Sequence, residues 1–134
     1  MSVHVLDASA VLAVLRDEDG ADAVIQVLAS KQPVLLGVVN ALEVCYDLWR
    51  SSPGVETVQT LLAELERWPI TLVREMDDEW LLAAARFKAR GRLSLADACA
   101  LGLAKVHHGL LVTADHHEFD PLEKAGLAHF YWIR

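Results

Sequence analysis

Asp7, Glu43, Asp97 and Asp115 are the residues of this chain best placed for chemistry. Each is an acid set among apolar neighbours: Leu6 and Ala8, Leu42 and Val44, Ala96 and Ala98, Ala114. Asp7 closes the apolar run VHVL, and Asp115 closes GLLVTA. Glu43 follows VLLGVV by a few residues, and Asp97 falls in the first turn of a helix predicted for SLADACALGLAKV. A parallel α/β fold brings its strand ends to one edge, where these distant acids would meet. Two like charges about 4 Å apart repel by on the order of 4 kcal/mol at an effective dielectric of about 20. Such a cluster persists when protons or a cation neutralise it, so a divalent metal centre is the first expectation. Mg²⁺ takes oxygen ligands and keeps several waters, so a few carboxylates suffice. It can activate a water and stabilise a leaving oxygen at phosphorus, with no serine or histidine nucleophile.

Each acid also has a purely architectural reading. Asp7 suits a helix N-cap. Asn40 with Glu43, and Ser94 with Asp97, have the spacing of a capping box. Asp115 suits an Asx-turn after a strand, and Asp120 before Pro121 suits an N-cap followed by proline at the first helical position. The readings are compatible, because a carboxylate in a first helical turn can face a site at the strand ends. Asp17–Asp19 and Asp77–Glu79 are runs near helix ends, where solvated or dipole-related roles suit them. His116 and His117 directly follow Asp115; they read as loop residues, with contact to substrate or to a softer metal as the alternative. His107 and His108 end a helix, where positive charge is favoured. Cys45 and Cys99 have no CxxC spacing and read as small buried thiols. No HExxH or Cys/His pattern supports structural zinc.

The elements that must position these groups alternate. Short apolar runs at 3–6, 34–39, 70–73, 110–113 and 127–133 predict strands, and their near-continuous apolar character suits strands covered on both faces. Helical patterns fill 7–18, 21–31, 41–52, 55–68, 77–91 and 94–108, with a short irregular helical segment at 116–126. The expected fold is α/β: a three-layer sandwich with a central, mainly parallel sheet flanked by helices, in one domain over residues 1–134. The functional crevice of such a fold lies outside the carboxyl ends of its strands. With 54% hydrophobic residues the chain is not disordered, and no apolar stretch reaches the roughly 20 residues of a bilayer span. With no signal-peptide pattern either, the expected location is the cytoplasm.

The net charge of −7 weighs against nucleic acid as a partner, but cations held by clustered acids would offset part of it. Arg86, Lys88, Arg90 and Arg92 crowd together just before Asp97. They read either as a dipole-matched helix end or as a patch that steers phosphates to the acids.

Asp-Ala-Ser-Ala at 7–10, the lone Glu43 after the second strand, Ser-Leu-Ala-Asp-Ala at 94–98 and Thr-Ala-Asp at 113–115, in that order, resemble the PIN domain. The likeness is greatest to its VapC-type toxins, the nuclease halves of bacterial toxin–antitoxin pairs. The resemblance implies a Mg²⁺- or Mn²⁺-dependent endoribonuclease acting on RNA. By the same resemblance Asp7 and Asp97 are direct metal ligands, and Glu43 and Asp115 complete the site directly or through water. Ser9 and Thr113 match small hydroxyl positions that could hold a water, a carboxylate or a phosphate oxygen, and Asp120 is an extra acid near the same edge. A homodimer is also implied, silenced by a small VapB-like antitoxin laid across an apolar groove; Trp49, Trp68 and Trp80 could contribute to a partner surface. The alternatives are a PIN-like RNA-processing nuclease or a binding module outside any toxin–antitoxin pair. A haloacid dehalogenase-type hydrolase would want an acid where Ser9 stands. A Mg²⁺-binding receiver domain would want adjacent acids after the first strand and a lysine after a late one.

Overall fold

The computed structural model describes residues 2–134. Its centre is a five-stranded sheet built from β1 (His4–Leu6), β2 (Val34–Gly37), β3 (Thr71–Val73), β4 (Leu110–Thr113) and β5 (Phe130–Trp132), in the order β3-β2-β1-β4-β5. All four pairings are parallel; β1 sits in the middle, with Leu6 opposite Leu36 of β2 on one side and Val112 of β4 on the other. The helices are α1 (Ala8–Leu15), α2 (Ala21–Ala29), α3 (Val38–Ser51), α4 (Val55–Arg67), α5 (Asp78–Ala89), α6 (Leu95–Val106) and α7 (His116–Lys124).

Alternation along the strands divides the core into two. Leu6, Leu36 and Val112 face Val11 of α1, Val24 of α2, Val44 of α3 and Leu61 of α4. Val5 and Leu111 face Trp80 and Phe87 of α5, Leu101 and Leu103 of α6, and Phe119 of α7. The result is the expected three-layer sandwich, with every strand of the sheet parallel. Among the described residues no helix is long and apolar enough to cross a membrane.

The order of the strands decides where a site can lie. From β1 the chain steps outward through β2 and β3, then returns to add β4 and β5 on the other side. Helices therefore leave the carboxyl ends of β1 and β4 toward opposite faces, opening a crevice between those ends.

Three local readings change. The second strand stops at Gly37, and Val38 and Val39 open α3 instead. Apolar residues serve a buried strand and a buried first helical turn equally, so this boundary is silent in the sequence. Asn40 is consequently inside α3 and caps nothing. Asp120 lies inside α7, because Asp115 takes the cap position ahead of it and leaves Pro121 in the helix interior. Trp80 belongs to the core, 2% exposed with its indole N–H donating to the Cys99 carbonyl at 2.8 Å, and offers no partner surface.

That tryptophan helps lock α5 onto α6, whose closest approach is at Gly102. A Cβ there would lie 2.7 Å from the Ala84 backbone nitrogen. Helix propensity alone favours alanine over glycine by about 1 kcal/mol. We expect Gly102→Ala to destabilise the fold nevertheless, by about 1–3 kcal/mol in urea denaturation, because the methyl must push α5 away. A stabilised variant would show that this contact is looser than described.

Candidate active site at the carboxyl edge of the sheet

Asp7 follows β1 directly and caps α1, and everything around it converges on its carboxylate. Oδ1 accepts the Ala10 amide at 3.0 Å and the Ser9 hydroxyl at 2.6 Å, and Oδ2 accepts the Thr113 hydroxyl. The two hydroxyls are themselves acceptors: Ser9 Oγ from the Ala114 amide at 3.1 Å, Thr113 Oγ1 from the Asp115 amide at 3.0 Å. Each hydroxyl has one proton, and both are directed at Asp7, so the 3.4 Å Ser9–Thr113 approach is a contact between two oxygens already engaged. Of the three things these hydroxyls could hold, they hold a carboxylate. Asp7 is only 5% exposed. Burial pushes its carboxyl above the ordinary range, against the lowering effect of its three donors, and Asp115 adds to the rise.

The other acids arrive from three different elements. Asp115, just past β4, caps α7 by accepting the Glu118 amide at 3.4 Å. Asp97 stands in the first turn of α6, where Ser94 is the cap and accepts the Asp97 amide at 3.0 Å. Glu43 is one turn further into α3, beyond the end of β2. Asp7 feels the charge of Asp115, Asp97 those of Asp115 and Asp7, and Glu43 those of all three. Glu43 is raised by burial first, then by Asp97, Asp7, Asp47 and Asp115. Asp97 is pushed up to about 6, mainly by burial, with Asp115, Asp7 and Glu118 adding to it and the Ser94 hydroxyl opposing. Among the described residues, Glu43 has no hydrogen-bond or ion-pair partner, and no three His, Cys, Asp or Glu side chains already converge on one point.

The family model of the PIN domain matches residues 4–124, from β1 to the end of α7. The chain belongs to the PIN domain family. Among solved structures, it superposes on a chain of the DNA-bound VapBC complex from Salmonella typhimurium with a TM-score of 0.74 at 13% identity, covering 100% of both chains. A toxin–antitoxin complex from Klebsiella pneumoniae gives 0.72 at 15% identity over 98% of each chain. A sarcin–ricin loop-cleaving VapC toxin from Mycobacterium tuberculosis gives 0.61 at 17% identity, over 79% of this chain and 84% of that one. At such identities the likeness is one of fold. No curated protein matches the chain in sequence.

Within this PIN domain, one residue near the acids was not legible as a positioning group. Asn40, 1% exposed, donates from Nδ2 to the Ala96 carbonyl at 3.3 Å. It ties the start of α3, which carries Glu43, to the first turn of α6, which carries Asp97. Only the NH₂ can donate to a carbonyl, so the side-chain orientation is fixed, and Oδ1 is left buried without a donor. The signal in sequence was an amide flanked by apolar residues three positions before Glu43, but its partner lies in another helix.

The remaining polar candidates lie apart from the carboxylates. His116 begins α7 rather than a loop; it stacks on Trp132 at 3.8 Å between ring centres and bonds Asp120 and the Arg134 carbonyl, each at 2.8 Å. Asp120 holds that imidazole above its usual range and makes no bond to the four acids. His117 is exposed, 3.9 Å from Glu118. Cys99 is buried and Cys45 half-buried, both free.

The raised acids make stability depend on pH. Asp97 binds its proton near pH 6 when folded and near 3.8 when unfolded. Below about pH 4 both states are protonated and the folded state keeps its full relative stability; that contribution is lost as pH rises through about 6. The chelator-treated protein should therefore melt lower at neutral pH than in mild acid. The fall should be smaller in Asp97→Asn, by on the order of 2–5 °C in calorimetry. Identical pH dependence in both proteins would show that Asp97 is not strained by its charge.

Proposed function

We propose that this PIN domain is a metal-dependent endoribonuclease and the toxin half of a toxin–antitoxin pair. The observation that carries the reading is that Asp7, Glu43, Asp97 and Asp115 share the carboxyl edge of the sheet, near enough for Glu43 to feel the charge of the other three. Mg²⁺, or Mn²⁺ in its place, is the group such a site calls for. The donors are all oxygens, three of the acids are electrostatically stressed without a cation, and Glu43 is unpartnered. Asp7 and Asp97 would hold the ion, with Glu43 and Asp115 completing the site directly or through water. When bound, a divalent cation lowers the pKa of a water and screens the charge of a phosphodiester.

The chain's own groups do the rest. Ser9, Thr113 and the Ala10 amide fix the Asp7 carboxylate in one orientation and leave Oδ2 with an acceptor position to spare. Asn40 keeps Glu43 and Asp97 in register with each other. Glu43, which makes no hydrogen bond or ion pair among the described residues, is the acid suited to take the proton of an attacking water. Among the described residues no histidine or cysteine hydrogen-bonds to the four acids, which accords with attack by water rather than by a protein nucleophile.

Two surfaces suit the proposed partners. A groove of about 690 Å³ between α1, α3 and α4, with Leu15, Leu48 and Trp68 beside Thr60, Glu56 and Glu64, suits an amphipathic antitoxin segment. Leu42, Tyr46 and Trp49, at 64%, 61% and 42% exposure, form one stripe along α3 and suit a second copy of the chain. The Klebsiella relative is a toxin–antitoxin complex and the Salmonella one a DNA-bound VapBC complex, which favours an antitoxin as partner.

The purified protein should cleave RNA with added Mg²⁺ or Mn²⁺ and stop when chelator is added. Asp7→Asn and Asp97→Asn should each lower the rate by roughly 100-fold or more while keeping a native melting transition. Cleavage surviving in both variants, or resisting chelation, contradicts the reading. For the assembly, Tyr46→Glu should convert a dimer to a monomer in light scattering; a variant that stays dimeric would move the interface elsewhere.

A further inference from the structure

The basic segment before α6 looks uniform in sequence, but the structure divides it. Arg86 lines one cavity with Ala83, Phe87, Lys105 and Leu127, which Arg90 also borders, and takes no part in the next one. Lys88 Nζ donates to the Leu93 carbonyl at 2.7 Å and is occupied in holding the loop. Arg90 and Arg92 line a different cleft of about 570 Å³, between the α5–α6 loop and α7, with His117, Glu118, Pro121 and Leu122 on its far wall. That volume lies within the range of small-molecule sites, about 300–1,000 Å³.

The loop that presents the two arginines is built in an unusual conformation. Among the described non-glycine residues, Asp17, Lys31, His108 and Arg92 have positive φ. The first three each stand one position past a helix C-cap, where a left-handed residue ends the helix. In α5 that position is already filled by Gly91, at φ +90°, so Arg92 at φ +48° is a second left-handed residue that helix termination does not require. The Leu93 amide closes the turn onto the Gly91 carbonyl at 2.7 Å, and Lys88 pins it from below. A long side chain held in this region points to a function for it.

Both walls of the cleft run into the acids. Leu93 leads directly to Ser94, the cap of the helix carrying Asp97. The Glu118 amide donates the capping bond to Asp115, and the Glu118 charge is felt at Asp97. An acidic centre repels the phosphates that flank a scissile bond, and two fixed guanidinium charges beside it supply the missing attraction.

We propose that this cleft holds the RNA backbone adjacent to the cleaved bond, with Arg90 and Arg92 taking phosphate groups and Arg86 and Lys88 taking none. The proposal rests on the nuclease reading above. It is tested by anisotropy with a labelled single-stranded RNA, in a non-cleaving Asp97→Asn background with Mg²⁺, over a series of salt concentrations. Each of Arg90→Gln and Arg92→Gln should lower the slope of log affinity against log salt by about 0.7, and the pair by about 1.4. At about 0.1 M salt the double variant should bind roughly tenfold or more weakly. Arg86→Gln should leave the slope unchanged, and replacing both cleft arginines by lysine should restore it. An unchanged slope in the double variant, or an equal loss in Arg86→Gln, overturns the cleft assignment while leaving the nuclease reading intact. Absence of RNA binding by the wild-type chain and the Asp97→Asn protein alike would overturn both.

Discussion

The burial of the Asp7 carboxylate under three donors is the constraint on which the rest of this molecule depends. It binds the β1–α1 junction to the residues that follow β4, so the two central strands end at one depth and the crevice between them has a fixed floor. Removing any one donor leaves a buried acid with fewer compensating bonds, and such groups are among the most costly in a protein interior. The same arrangement explains why small hydroxyl residues stand at positions 9 and 113: each must accept a backbone amide and still have a proton for Asp7. An aliphatic side chain at either place would leave both ends of that relay unpaired.

Around this floor the acids are supplied mostly by helix starts. Asp7 and Asp115 are caps themselves, while Asp97 sits beside the Ser94 cap. The partial positive charge of a helix N-terminus favours a carboxylate, which offsets some of the repulsion that collecting acids creates. Architecture and chemistry thus make the same demand of these residues. Burial first, and the neighbouring acids after it, still raise the proton affinities of Asp7, Glu43 and Asp97.

Much of this could be read from the chain. Short apolar runs alternating with amphipathic helices specified the layered parallel sheet, and Gly and Pro marked most boundaries. What escaped was whatever depended on a partner far along the sequence. Val38 and Val39 look like strand until the bulk of Trp80, 3.1 Å from where a Gly37 Cβ would be, is seen to sit at the strand end. Asn40 looks like a cap until Ala96 is brought beside it. His116 looks like a loop residue until β5 places Trp132 under its ring. The basic segment looks like one patch because nothing local reveals that Lys88 folds back onto Leu93.

The pairing of β1 with β4 has a consequence for synthesis. Val5 meets Leu111, a contact spanning most of the chain, and it forms between neighbours in the middle of the sheet. Until β4 has emerged from the ribosome, Asp7 lacks Thr113, Ser9 lacks the Ala114 amide, and Asp115 does not yet exist. Loop closure of that length is slow relative to local helix formation. A nascent or truncated chain therefore carries helices and a hydrophobic surface but no assembled pocket of acids. The acid site is thus among the last parts of the domain to be completed, assembled only after the fourth of its five strands has been made.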